Sequence, residues 1–147
     1  MKAWTAAPDL ILKPRRETPR LPGKRVLLVI RNASERRMIA EELTKAGYIV
    51  VAKDNCHDAL RFCRESAVLH ALVTDTTLPH MWGVELARSA SQCHPHLVIV
   101  CVCSGEPKPL VKQELAKQGW QWTEKGGSFY ETVIQQLQTG LTTFVAS

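Results

Sequence analysis

Apolar residues along this chain gather in short unbroken runs, and the stretches between them carry helical spacing. VLLVI (26–30), YIVVA (48–52), ALVTD (71–75) and LVIVCVC (97–103) have the length and continuity of strands covered on both faces. After the first run, Met38, Ile39, Leu43 and Ala46 recur on one helical face. Asn32, with Glu35 three residues later, makes a capping-box-like start, and Gly47 is a natural stop. Asp54 or Asn55 caps a second helix that turns Ala59, Leu60, Phe62 and Cys63 inward. VELARSASQ reads as a third helix and EPKPLVKQELAKQG as a fourth that ends at Gly119. WQWT (120–123) is a short fifth strand, and SFYETVIQQLQ (128–138) a fifth helix. This alternation predicts an α/β fold, a parallel sheet with helices on both faces.

In such folds, sites lie beyond the carboxyl ends of the strands. Asp75 closes the third run and is therefore placed for chemistry. A buried unpaired charge is costly, so a carboxylate there is solvated, paired or in use.

Charge changes the picture at one end only. The chain of 147 residues has a formal net charge of +5. Residues 1–25 hold seven basic residues against Asp9 and Glu17, so the whole excess lies there and the remainder is neutral. The same segment carries Pro8, Pro14, Pro19 and Pro22, which resist regular structure. Residues 1–23 are read as a basic, Pro-rich leader or linker, 24–138 as the folded domain and 139–147 as a C-terminal tail. Nucleic-acid binding by the folded domain is not expected. No apolar run approaches the roughly 20 residues needed to span a bilayer, and the N-terminus lacks the apolar core of a signal peptide, so a cytoplasmic location is expected.

Five cysteines, Cys56, Cys63, Cys93, Cys101 and Cys103, are an odd number, which argues against a disulfide framework. The Cys93–His96 cluster lacks a second ligand pair at zinc-finger spacing and is not read as a metal site. The histidines show no nucleophile–base pattern, and there is no nucleophile elbow, so no enzymatic activity is expected. His80, in the loop after Asp75, is the only one expected near the strand end where Asp75 lies.

An apolar strand ending in Asp75, two residues, Leu78-Pro79, then Gly83 and a helix resemble the receiver domain of two-component response regulators over residues 24 to 138. The resemblance implies a (βα)5 flavodoxin-like fold with strand order 2-1-3-4-5. It implies that Asp75 is the acceptor of a phosphoryl group from a histidine kinase or phosphotransfer protein. It places the hydroxyl residue after strand four at Ser104, with Cys103 as the alternative register, the lysine of strand five at Lys125, and the aromatic switch position at Trp122. With Mg²⁺ bound, Asp75 and the backbone carbonyl of Thr77 would be ligands.

The chain departs from the family where the metal would sit. Strand one normally ends in two acids, and here Ile30 and Arg31 stand there. The proline that normally follows the lysine is replaced by Gly126-Gly127. With Glu35 counted as a helix cap, the pocket holds one carboxylate against two fixed cations. An oxygen-ligand ion has little reason to bind such a pocket. Arg31 is expected either to form a salt bridge with Asp75 or to supply part of the missing metal charge. The expectation is an atypical receiver, a pseudo-receiver without ordinary Mg²⁺-dependent phosphorylation. It would bind another signalling protein through its fourth helix, fifth strand and fifth helix, with Trp122 at or near that surface. No cofactor is expected, Mg²⁺ only if standard receiver chemistry is retained. The alternatives are an ordinary phosphoacceptor with unusual pocket residues and a flavin-binding flavodoxin-like protein. The latter needs a hydroxyl- and Gly-rich loop after strand one, for which IRNASE supplies only Asn32 and Ser34.

Overall fold

A computed structural model describes residues 23–78 and 81–146. All of the leader expected over 1–23 except Gly23 lies outside these residues, as do Pro79 and His80. The elements are β1 (Arg25–Val29), α1 (Ala33–Lys45), β2 (Ile49–Lys53), α2 (Cys56–Glu65), β3 (Ala71–Asp75), β4 (Thr77–Leu78), β5 (Met81–Trp82), α3 (Gly83–Cys93), β6 (Val98–Cys103), α4 (Pro109–Gln118), β7 (Gln121–Glu124) and α5 (Phe129–Ala146).

Five strands form a parallel sheet in the order β2-β1-β3-β6-β7. Counting only these five, the order is 2-1-3-4-5, as the resemblance implies. The apolar runs are continuous because successive residues serve two cores. Leu27 and Val29 of β1, Leu72 of β3 and Ile99 and Cys101 of β6 pack with α2, α3 and α4. Val26 and Leu28, Ala71 and Val73, and Val100 and Val102 pack on the opposite face with α1 and α5. Leu27 and Leu28 are each fully buried. Truncating a side chain in such a position to alanine typically costs about 2–5 kcal/mol.

Two elements differ from the sequence reading. The helix expected to end at residue 138 runs on to Ala146, and Leu141 is buried in the core beyond that point. Gly140 does not stop it, because the helix there lies against β6: a Cβ at Gly140 would come within 2.7 Å of Val98 Cγ1. The loop after Asp75 also contains structure of its own, since β4 and β5 form a two-stranded antiparallel ribbon that pairs Thr77 with Trp82 and Leu78 with Met81.

Candidate functional site

The sheet brings the carboxyl ends of β1, β3 and β6 to one side. The cleft there, about 580 Å³, is lined by Arg31, Asn32, Glu35, Asp75, Thr76, Thr77, Val102, Ser104 and Lys125. Of the residues singled out from the sequence, Asp75, Thr77, Ser104, Lys125 and Arg31 line this one cleft, and Glu35 joins them. Ile30 and Trp122 do not. Ile30 is fully buried among the α1–α5 core residues. Trp122 packs partly buried on the other face of the sheet with Trp120. There the Lys112 ammonium lies 5.8 Å from the Trp122 ring centroid.

Asp75 is held from the backbone outward. It ends a strand buried at every residue and is itself only 4% exposed. Thr76 N–H donates to the Val102 carbonyl and Gly83 N–H to the Thr76 carbonyl, which folds the following loop back over the strand end. Gly83 is required by close approach: a Cβ there would sit 1.8 Å from the Asp75 carbonyl oxygen. The spacing from Asp75 to Gly83 thus records a backbone-on-backbone contact between the strand end and the first residue of α3.

The partner of Asp75 is a correction to the sequence reading. Arg31 reaches Asp75 through its backbone, whose N–H donates to Oδ2 at 2.7 Å. Among the described residues its guanidinium forms no ion pair with the carboxylate, and Arg31 is exposed. The charge is met by Lys125, whose Nζ lies 2.9 Å from Asp75 Oδ1 and 2.7 Å from Glu35 Oε1. Both oxygens are buried and make no aligned hydrogen bond, so these are ion-pair contacts. Burial alone would depress the Lys125 pKa; the Glu35 and Asp75 carboxylates outweigh it and hold the ammonium above the ordinary lysine range. Lys125 is itself positioned by its N–H donating to the Cys103 carbonyl at the end of β6.

Glu35 was read as a helix cap, and the structure assigns it more. Asn32 caps α1 as expected, its Oδ1 accepting from Glu35 N–H at 2.9 Å. The Glu35 carboxylate, however, turns to Lys125 rather than back to the cap. The pocket therefore holds Asp75 and Glu35 against Lys125 and Arg31 and is neutral, not positive. The sequence also gave no sign of Arg36, whose Nη1 donates to the Ile30 carbonyl at 2.8 Å and the Arg31 carbonyl at 3.3 Å. It braces the turn that aims the Arg31 N–H at Asp75.

Ser104 lies exposed at the cleft and does not cap a helix: α4 starts at Pro109, with Lys108 in the cap position. Cys103, the alternative register, is buried, and burial raises its thiol pKa. None of the five cysteines is in a disulfide.

A divalent ion fits these residues poorly. Oxygen-ligand cations need several converging oxygens, usually with more than one uncommitted carboxylate. Strand β1 supplies none, and the two carboxylates present are both engaged by Lys125. No group of three or more acidic, histidine or cysteine side chains able to hold a metal occurs among the described residues.

Three comparisons bear on kinship. The chain is 38% identical to the response regulator receiver protein CpdR of Brucella abortus over 79 residues, 54% of this chain and 65% of that protein, just under two thirds of its length. It is 32% identical to the chemotaxis protein CheY of Thermotoga maritima over 93 residues, 61% of this chain and 76% of that one. The structure of the chemotaxis response regulator CheY4 of Vibrio cholerae superposes with a TM-score of 0.71 at 26% identity, covering 81% of this chain and 99% of that chain. No family model matches the sequence. No helix among the described residues is long and apolar enough to cross a membrane. With a CheY matched across three quarters of its length, and with the strand order that the resemblance implies, this chain belongs to the receiver domains of two-component response regulators.

Proposed function

We propose that this receiver is an atypical one: Mg²⁺-dependent phosphorylation at Asp75 is weak or absent, and the module acts in the cytoplasm by binding a signalling protein rather than by catalysis of its own. The observation that carries this reading is the end of β1. Ile30 is buried in the core where the family sets an acid, and Lys125 takes up the two carboxylates that the pocket retains. Phosphoryl transfer draws several kcal/mol of transition-state stabilisation from a metal ion, together with orientation. A lysine already shared between two carboxylates supplies part of the charge and none of the coordination geometry.

The partner is a histidine kinase, a phosphotransfer protein or another signalling protein, docking on α4, β7 and α5. Two features support this face: Leu110 of α4 is 79% exposed, and Trp122 of β7 lies only partly covered under Lys112. The test of the chemistry is intact-mass analysis after incubation with acetyl phosphate, with and without Mg²⁺. The expected result is no phosphoryl adduct in either sample, or a minor one that Mg²⁺ does not increase. A Mg²⁺-dependent adduct abolished by Asp75→Asn would make this an ordinary phosphoacceptor with unusual pocket residues, a reading favoured by Asp75, Ser104 and Lys125 sharing one cleft.

A further inference from the structure

We infer that Lys125 is the resident cation of the pocket, clasped between Asp75 and Glu35, and that Glu35 is the positioning residue that closes the pocket to divalent ions. The inference rests on the atypical-receiver reading above and assigns its cause.

Three elements converge on one ammonium. Glu35 comes from the first turn of α1, Asp75 from the end of β3 and Lys125 from the residue after β7. The contacts of 2.7 and 2.9 Å place the nitrogen between the two carboxylates, on the oxygens that are buried and without aligned hydrogen bonds. The other Asp75 oxygen is taken by the Arg31 N–H. A divalent ion entering here would need the same two oxygens. It would have to shed part of its hydration shell, which Mg²⁺ does reluctantly, and evict a cation tethered to the chain. Arg31 on the rim adds a second positive charge against it.

Glu35 is what turns a pair into a clasp. With Asp75 alone, Lys125 could swing aside and leave one carboxylate. With Glu35, its departure uncovers two facing carboxylate oxygens that are both buried, so the lysine stays. The same geometry means that a divalent site lies latent beneath it: Asp75 and Glu35, in a cleft that Thr77 and Asn32 also line.

The experiment is titration of the full chain with Mg²⁺, read by amide chemical shifts, and with Mn²⁺, read by paramagnetic broadening near Asp75 and Glu35. The wild type is expected to show no saturable binding up to about 10 mM. Lys125→Gln is expected to bind with a dissociation constant on the order of 1 mM, in the range of weak oxygen sites. The double variant Lys125→Gln/Glu35→Gln should bind about tenfold more weakly or not at all. A silent Lys125→Gln overturns the clasp while leaving the atypical-receiver reading intact. A double variant that binds as well as the single one removes Glu35 from the inference. Saturable binding by the wild type overturns both. Should Lys125→Gln not fold, the wild type still decides: the Lys125 ammonium proton resonance at low temperature must shift on Glu35→Gln, and an unmoved resonance sinks the clasp.

Discussion

Strands β1 and β3 lie side by side and end together in the cleft, yet their last residues have opposite fates. β3 ends in Asp75, a charge kept in the interior at 4% exposure. β1 leads into Ile30, fully buried in the apolar core, and then Arg31, exposed. The first strand contributes only a backbone N–H to the site. Charge compensation comes instead from Lys125, in the segment after β7, which α1 loads with a second carboxylate, Glu35. A pocket of this fold can thus keep its buried aspartate and its lysine while the second acid moves from β1 to α1.

The sharpest way to break this comparison is to force an acid back onto β1. Ile30→Asp would bury a carboxylate among Leu28, Ile39 and Val102, with Lys125 already committed to two acids and Arg36 engaged by the Ile30 and Arg31 carbonyls. Lost apolar burial and uncompensated charge together should cost about 4 kcal/mol or more. Urea denaturation measures it. A variant as stable as wild type would mean that the β1 end can rotate its side chain into the cleft, and the contrast between the strands would collapse.

Next in size are the two ends of the ion-pair network. Lys125→Met leaves Asp75 and Glu35 facing each other. With the lysine side chain 18% exposed, the loss should fall between that of a surface pair and that of a buried one, about 1–3 kcal/mol. Asp75→Asn should destabilise by about 1 kcal/mol, because Lys125 then keeps only Glu35. The sign is the informative part. In a pocket crowded with acids the same change relieves repulsion and stabilises, so a stabilised Asp75→Asn would show that the lysine does not balance this site.

Much of this was legible in the sequence. The strand 71–75 matches residue for residue because an apolar run bounded by a polar turn has few alternatives, and Asn32 as a cap followed from its spacing to Glu35. The end of α5 was not legible: residues 139–147 read as a tail, and only the contact with Val98 explains why Gly140 belongs inside a helix there. Glu35 was misread for a similar reason. Its backbone does join the cap, but its side chain answers to Lys125, ninety positions on, and no local pattern records that pairing. The Arg31–Asp75 salt bridge failed because adjacency in the fold was taken for side-chain contact, when the turn braced by Arg36 presents the backbone instead.

The network can also be sharpened by pH. Lys125 has its pKa raised in the folded state. Its contribution is therefore fully present below the unfolded lysine value and lost as pH rises through the folded one, above about 10.4. Tyr48 and the thiols of Cys63, Cys101 and Cys103, all raised by burial, act in the same direction. Comparison with Lys125→Met separates them: the variant should retain only the tyrosine and thiol part of the alkaline slope. Equal slopes in the two proteins would leave the clasp without energetic weight.

The smallest effect lies at the other ends of the same two strands. Where β1 begins, Arg25 N–H donates to His70 Nδ1 at 2.9 Å, and His70 N–H returns a bond to the Arg25 carbonyl at 3.0 Å. The first bond requires a neutral ring with its proton on Nε2. Burial first, then the nearby Lys24 and Arg25 charges, lower the His70 pKa. A depressed histidine contributes stability above its unfolded value, about 6.5, that is lost as pH falls through the lower folded value. Acidification should therefore loosen the β1–β3 pair from its amino end while the carboxyl end, tied by Lys125, holds. Amide exchange reads this directly: between pH 7 and pH 5, protection at Arg25 should fall, beyond the ordinary slowing of exchange with acid, relative to that at Val29. His70→Gln, which has no titrating ring, should remove the pH dependence of that ratio. If the ratio still changes with pH in His70→Gln, the amino end is governed by some group other than His70.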